Sequence, residues 1–148
     1  LMMRKMGLND TLLAMVVLQA FSAFGVFLMR QFYMGIPDSL CEAARIDGMS
    51  EFNIYSRIML PLSKPALATL TIFTFVATWN DYLGPTIYLK SESKKTIQIG
   101  LQRFIGQYSS EYGLIMAGSV ISLIPVLIMF LLLQKYFVEG IATSGVKG

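Results

Sequence analysis

The polar residues able to do chemistry in this chain gather between Asp38 and Lys64 and between Trp79 and Arg103, and their types exclude more than they offer. There is no histidine and one cysteine, Cys41, so disulfide frameworks, zinc sites and Cys/His catalysis have no material. No GxxxxGK[ST] loop is present to hold a nucleotide and no paired carboxylates share a pocket, so an enzyme has the least support. Cys41 reads as a small apolar filler. What remains is mechanical and docking chemistry. Glu42-Ala43-Ala44 is followed after three residues by Gly48 and, nine residues later, by Ile58-Met59-Leu60-Pro61. This polar island between strongly apolar segments is a natural docking site for another protein.

Helices must position it. The chain is 55% hydrophobic and 14% charged, against roughly 25% charged in ordinary soluble domains. Three apolar windows, about 12–29, 66–83 and 113–134, are near the roughly 17 to 25 residues that cross the hydrocarbon core as a helix. A soluble bundle is the weaker reading, because Gly113 to Leu133 has no charged residue over 21 positions and so no polar face at helical period. The windows predict an all-α membrane protein with three spans. A signal peptide does not explain the first, since no small-residue cleavage site follows it. Positive charge divides six against six between the two sides and sets no orientation.

Between the first two spans the sequence predicts a helix, a turn and a helix, about 36–61. Pro37 is tolerated in a first turn, and Ser39 with Glu42 reads as an S-x-x-E capping box. Gly48 suits the left-handed conformation that ends the helix. Ser50 is expected to cap a second helix, Glu51 to Met59, with Pro61 stopping it from beyond its end. Leu40, Ala43 and Ala44 are expected to share one face, and Phe52, Tyr55 and Met59 another.

Within the spans, Gln19, Ser22 and Gly25 suit a facing helix rather than lipid. Asn9-Asp10-Thr11 reads as an N-cap cluster before the first span. Trp79 and Tyr82 suit the headgroup interface at the end of the second. Asp81, costly at the bilayer centre, is expected at the interface, at a helix cap or, with Asn80, lining a path. Ile97 to Gln107 reads as a helix with Ile97, Leu101 and Phe104 on one side, within a polar segment from Lys90 to Tyr112 that is either a solvated loop or a contact surface. Pro125 removes a backbone hydrogen bond inside the third span, and Phe137 to Gly148 reads as a short tail.

The Glu42-Ala43-Ala44, Gly48, Ile58, Leu60-Pro61 spacing resembles the EAAxxxG, nine residues, IxLP signature of ABC importer permeases. Further likeness lies in Phe24 to Phe32, Ile36-Pro37, Arg45-Ile46-Asp47-Gly48, Leu60 to Ala66, Trp79 to Tyr82 and the ending Gly140-Ile141-Ala142 through Gly148. With these the chain is similar to the carbohydrate type of permease, the maltose and multiple-sugar branch. The resemblance implies that residues 1–148 are the C-terminal part of an ABC transporter transmembrane domain, half of a six-helix type I permease, in a bacterial-type plasma or inner membrane. It makes Glu42, Ala43, Ala44, Asp47, Gly48, Ile58, Leu60 and Pro61 the ATPase-coupling residues of a cytoplasmic hairpin. Ala43 would let the ATPase approach, Glu42 would accept hydrogen bonds or pair with a base, and Gly48 would make the turn. The implied partners are cytoplasmic ABC ATPase subunits, a second permease subunit, an extracytoplasmic sugar-binding protein facing Lys90 to Tyr112, and membrane lipid. No cofactor is expected on this chain, ATP being used by the ATPase. The start at Leu1-Met2-Met3 adds the expectation of a partial reading frame.

Two other classes compete. A membrane-tethered helix-turn-helix regulator would need several phosphate contacts, but from Ser50 to Lys64 the only bases are Arg57 and Lys64, and no nucleic acid is expected. A secondary transporter or channel fragment would place ionisable residues within its spans, and Asp81 is the only candidate.

Overall fold

The computed structural model describes residues 5–105 and 111–144, with side chains up to Tyr136. Among these the chain is helical, without a strand. Helices α1 (Leu12–Gln19) and α2 (Ala23–Met34) are followed by α3 (Asp38–Ile46). Helix α4 (Glu51–Leu62) is α-helical over Glu51–Ile54, π-helical over Tyr55–Met59 and α-helical again over Leu60–Leu62. Helix α5 (Lys64–Trp79), α6 (Leu83–Tyr88), a 3₁₀ turn (Glu92–Lys94), α7 (Ile97–Gln102) and α8 (Tyr112–Ser144) complete the order.

The first apolar window is a broken helix, not a continuous one. Ser22, partly covered, has a local role as well. It caps α2, its hydroxyl accepting from the Gly25 N–H at 3.1 Å, because the four leading N–H groups of a helix need partners. Thr11 does the same for α1, accepting from Ala14 N–H at 3.3 Å, as expected. Gly25 is the close-approach position predicted: a Cβ there would stand 3.1 Å from Leu70 of α5.

Among the described residues one helix, over Tyr112–Tyr136, is long and apolar enough by itself to cross a membrane. The pairs α1 with α2 and α4 with α5 qualify only when each is counted as one broken segment. The 16 residues of α5 rise about 24 Å, less than the roughly 30 Å hydrocarbon core. Helix α8 runs on to Ser144, so the tail expected from Phe137 is helical as far as the description goes. Gly145 to Gly148 and Gln107 to Ser110 lie outside the described residues. The expected helix from Ile97 ends at Gln102, and its buried apolar residue is Ile99 rather than the Ile97, Leu101 and Phe104 stripe.

The described chain divides into two compact units, one of Leu1–Phe21 with Thr74–Phe130, the other of Ser22–Phe73 with Leu131–Gly148. In the first unit Asp10, in left-handed backbone at φ 57°, fastens the start of α1 to the loop after α6. Its carboxylate accepts from Lys90 N–H at 2.8 Å, Ser91 N–H at 3.0 Å, the Ser91 hydroxyl and the Lys94 ammonium at 3.3 Å. These donors, the Ser91 hydroxyl first, hold its pKa far below the usual carboxylate range. Alongside, Glu92 pairs with Lys95 at 2.5 Å and with Arg103.

Candidate functional site

The second unit carries the polar hairpin. Helix α3 starts at Asp38 with Pro37 as its N-cap residue and no side-chain cap bond. The Ser39–Glu42 capping box is therefore not formed: Ser39 already lies inside the first turn, and Glu42 is left exposed. Asp38 in that turn complements the helix dipole instead.

The far end of α3 closes as expected, around glycine. Gly48 has φ +78°, Met49 N–H reaches Ala44 C=O at 3.0 Å and Gly48 N–H reaches Arg45 C=O at 3.0 Å. This pair of bonds is a Schellman motif, which needs a left-handed residue where Gly48 stands. Ser50 then caps α4, its hydroxyl accepting from Asn53 N–H at 3.4 Å. Arg45 and Glu51 bridge the turn with two parallel bonds, Nε to Oε1 at 2.7 Å and Nη2 to Oε2 at 3.2 Å. That bidentate bond lowers the Glu51 pKa and raises that of Arg45.

A lowered carboxylate pKa stabilises the hairpin above the unfolded-state value, about 4.3 for glutamate, and the contribution is lost as pH falls through the folded-state value. The Arg45 contribution, from a raised pKa, is fully present below the unfolded arginine value and is lost only at extreme alkaline pH. Hydrogen exchange at Gly48 to Ser50 should therefore quicken, relative to the intrinsic rate, as pH drops below about 4.3. Glu51→Gln should remove that acid step, and salt should shrink it because both side chains are exposed.

Helix α4 does not stop before Pro61. It passes through it, after a π turn in which Leu60 N–H bonds Tyr55 C=O. Proline has no N–H and crowds the carbonyl four residues back; the wider π turn relieves that crowding, and such turns occur often at functional positions. The chain turns by 68° between α4 and α5 at Ser63. Ser63 is fully buried there, donating to Leu60 C=O at 2.9 Å and accepting from the Tyr33 hydroxyl at 3.3 Å.

The faces also sort differently from expectation. Ala44 (4% exposed) and Ile54 (3%) turn inward, where Cys41 Sγ meets Met59 Sδ at 3.6 Å. Ala43 and Leu40 stay exposed, so they do not share the buried face of Ala44. Phe52 is 75% exposed and Tyr55 half-exposed, while Met59 is partly covered. The π turn shifts the register that a regular 3.6 period would give. Among the motif positions, Glu42, Ala43, Asp47, Gly48, Leu60 and Pro61 lie exposed, and Ala44 and Ile58 pack inward or partly so. The motif did not signal Ile46, 86% exposed, or Phe52; together they put apolar surface on an otherwise charged hairpin.

In the first unit, Asn80 and Asp81 follow the end of α5. Asp81 is partly buried and caps α6, Oδ1 accepting from Gly84 N–H at 3.1 Å and Oδ2 from Gln19 Nε2 at 3.4 Å. Gln19 in turn accepts from the Thr78 hydroxyl, so the polar residue of the first window does meet a facing helix. Trp79 does not leave its indole N–H for headgroups. It donates to Ser122 C=O at 3.0 Å in α8. Gln98, which the sequence offered only as one polar residue among many, is a hub: Nε2 donates to Ser122 Oγ at 3.0 Å, Trp79 C=O at 3.2 Å and Asn80 Oδ1 at 3.4 Å. No group of three or more His, Cys, Asp or Glu able to hold a metal is found among the described residues.

The chain is similar to known proteins over most of its length. The family described as "Binding-protein-dependent transport system inner membrane component" matches residues 1–143. The chain is 38% identical over 147 residues to the arabinooligosaccharides transport system permease protein AraQ of Halalkalibacterium halodurans, covering 99% of this chain and 53% of that protein. It is 42% identical over 127 residues to AraQ of Bacillus subtilis, covering 86% and 45%. Among solved structures, a bacterial ABC transporter involved in import of the acidic polysaccharide alginate is similar with a TM-score of 0.78 and 33% identity, over 91% of this chain and 53% of that one. The chain spans about half the length of the curated relatives it matches, 53% and 45%.

Proposed function

We propose, from the premise that this chain belongs to the binding-protein-dependent transport system inner membrane component family, that it forms part of the translocation path of an ATP-driven sugar importer. The hairpin of α3 and α4 is the element through which a separate ATPase subunit drives it. The observation that carries this reading is the hairpin's construction. A Schellman turn, a serine cap and a bidentate ion pair stiffen it, while Ala43, Ile46 and Phe52 remain uncovered on it. A stiff element with an apolar surface transmits displacement, whereas a flexible loop would absorb it.

In this reading α1 with α2, the α4–α5 segment and α8 are three spans of a multi-pass protein of the plasma or inner membrane. The hairpin is cytoplasmic, and the loop from Lys90 faces a sugar-binding protein. A second permease subunit completes the path. Glu42, exposed and unbonded among the described residues, pairs with a base on the ATPase. ATP is bound and hydrolysed by that subunit and not by this chain. The relatives named for arabinooligosaccharides make arabinotriose the first substrate to try.

The test is uptake in proteoliposomes holding the complete permease, its partner subunits and the binding protein. Accumulation of arabinotriose or another sugar that requires ATP inside and the binding protein outside is the expected result. Uptake driven by an ion gradient without ATP would move the secondary-transporter reading to the front.

A further inference from the structure

One residue, Ser63, joins α4 to α5, and every polar atom it has is bonded. Its N–H donates to Met59 C=O at 3.0 Å and closes α4, while its C=O accepts from Leu67 N–H at 2.9 Å and opens α5. The hydroxyl donates to Leu60 C=O at 2.9 Å and accepts from the Tyr33 hydroxyl at 3.3 Å. Ser63 is 0% exposed. Mobile joints show solvent-exposed backbone bonds and few buried contacts, and Ser63 has neither feature. The 68° turn is a rigid elbow, not a hinge.

Three of those bonds are local and fix the angle of the elbow. The fourth reaches 30 residues back, to α2. Beyond it α2 and α5 touch twice more in antiparallel order: a Cβ on Gly25 would stand 3.1 Å from Leu70, and Phe24 meets Phe73 edge to face at 5.7 Å. The ten residues from Ser63 to Phe73 rise about 15 Å and the nine from Tyr33 back to Phe24 about 14 Å, so these contacts keep one register. Apolar contacts are non-directional and tolerate sliding, whereas a hydrogen bond weakens steeply off its geometry. The hydroxyl pair is what pins α2 to the elbow. We propose that Ser63 and Tyr33 are positioning residues for transport, seating the base of the hairpin on α2 so that its displacement moves α2 and α5 together. The proposal rests on the hairpin reading above and adds the path by which the push leaves the hairpin.

The experiment uses the complete importer in proteoliposomes, with ATP inside and the binding protein outside, and reads arabinotriose imported per ATP hydrolysed. Tyr33→Phe keeps the ring and removes one oxygen, and should lower that ratio about 2- to 12-fold, the loss of one net hydrogen bond. ATPase retention should not change. Ser63→Ala should lower the ratio at least as much, and adding Tyr33→Phe to Ser63→Ala should cost nothing further, because the two act through one bond. Thr11→Val, in the other unit, removes the α1 cap, a loss of comparable worth. It should shift Tm similarly while leaving the ratio at the parental value.

A parental ratio in Tyr33→Phe would overturn the proposal, and so would losses that multiply in the double variant. An equal loss in Thr11→Val would also overturn it, by showing that the ratio follows stability alone. If Ser63→Ala fails to assemble, Tyr33→Phe against Thr11→Val decides. The same vesicles separate the levels: a parental importer without ATP-dependent uptake contradicts the transport reading, and an unchanged ratio in Gly48→Val contradicts the hairpin. An unchanged ratio in Tyr33→Phe alone contradicts only the seating on α2.

Discussion

Replacing Gly48 by valine is expected to cut sugar uptake by about 5- to 30-fold while the protein still inserts and assembles. The φ of +78° at Gly48 lies in the left-handed region, and a Cβ there would meet nothing within 4 Å. The effect is therefore one of backbone conformation and not of crowding. An L-residue in this region costs roughly 1–2 kcal/mol, more for a β-branched side chain, and one or two kcal/mol is a factor of about 5 to 30 in a population. The strain falls on the residue whose conformation permits both closing bonds, Met49 N–H to Ala44 C=O and Gly48 N–H to Arg45 C=O. Gly48→Asn, which tolerates the left-handed region, should keep most of the activity. Valine transporting at the parental rate in normally inserted protein would remove the turn from the mechanism.

The second large effect is expected at Ala43. Its methyl group is exposed on α3 beside the buried Ala44, so enlarging it disturbs no packing within the chain. Leucine and alanine are both strong helix formers, and the helix itself should be barely affected. If Ala43 lies against the ATPase in the assembled importer, Ala43→Leu overpacks that interface at a cost of typically 1–3 kcal/mol, about 5- to 150-fold in affinity. The measurement is retention of the ATPase by the purified permease, alongside its thermal unfolding. Lost retention with unchanged unfolding is the prediction. Full retention would place Ala43 outside the docking surface.

The parts of the fold legible in the sequence are those fixed locally. Gly48 and Ser50 announce the turn because a left-handed C-terminal residue and a hydroxyl cap each act over a few bonds. Family likeness was legible in the spacing from Glu42 to Pro61, and the matching family bears it out. What failed did so where one local rule competed with another. Ser39 and Glu42 satisfy the capping-box pattern, but Pro37 sets the helix start earlier and leaves both residues inside it. Pro61 reads as a stop, yet a π turn accommodates it, and that extra residue in the turn also re-sorts which of Ile54, Tyr55 and Met59 face inward.

The pairings from α5 onward needed the third dimension. Asp81 could be read as a cap, an interface residue or a path-lining residue from its position alone. Its bonds to the Gly84 N–H and to Gln19, which tie it to the first turn of α6 and to α1, are contacts that position alone does not announce. Gln98 and Ser122 are 24 residues apart, and nothing in their local sequence marks either as a partner of Trp79.

The most direct test of the coupling role is site-directed crosslinking in the complete permease, with Cys41→Ser as background and single cysteines from Leu40 to Met59, against the co-expressed ATPase. Exposed Ala43, Asp47 and Phe52 are predicted to crosslink, with yields that change when ATP is added, while buried Ala44 and Ile54 do not. No crosslink at any position, in a complex whose assembly is independently confirmed, would contradict the hairpin as the link between ATP hydrolysis and transport.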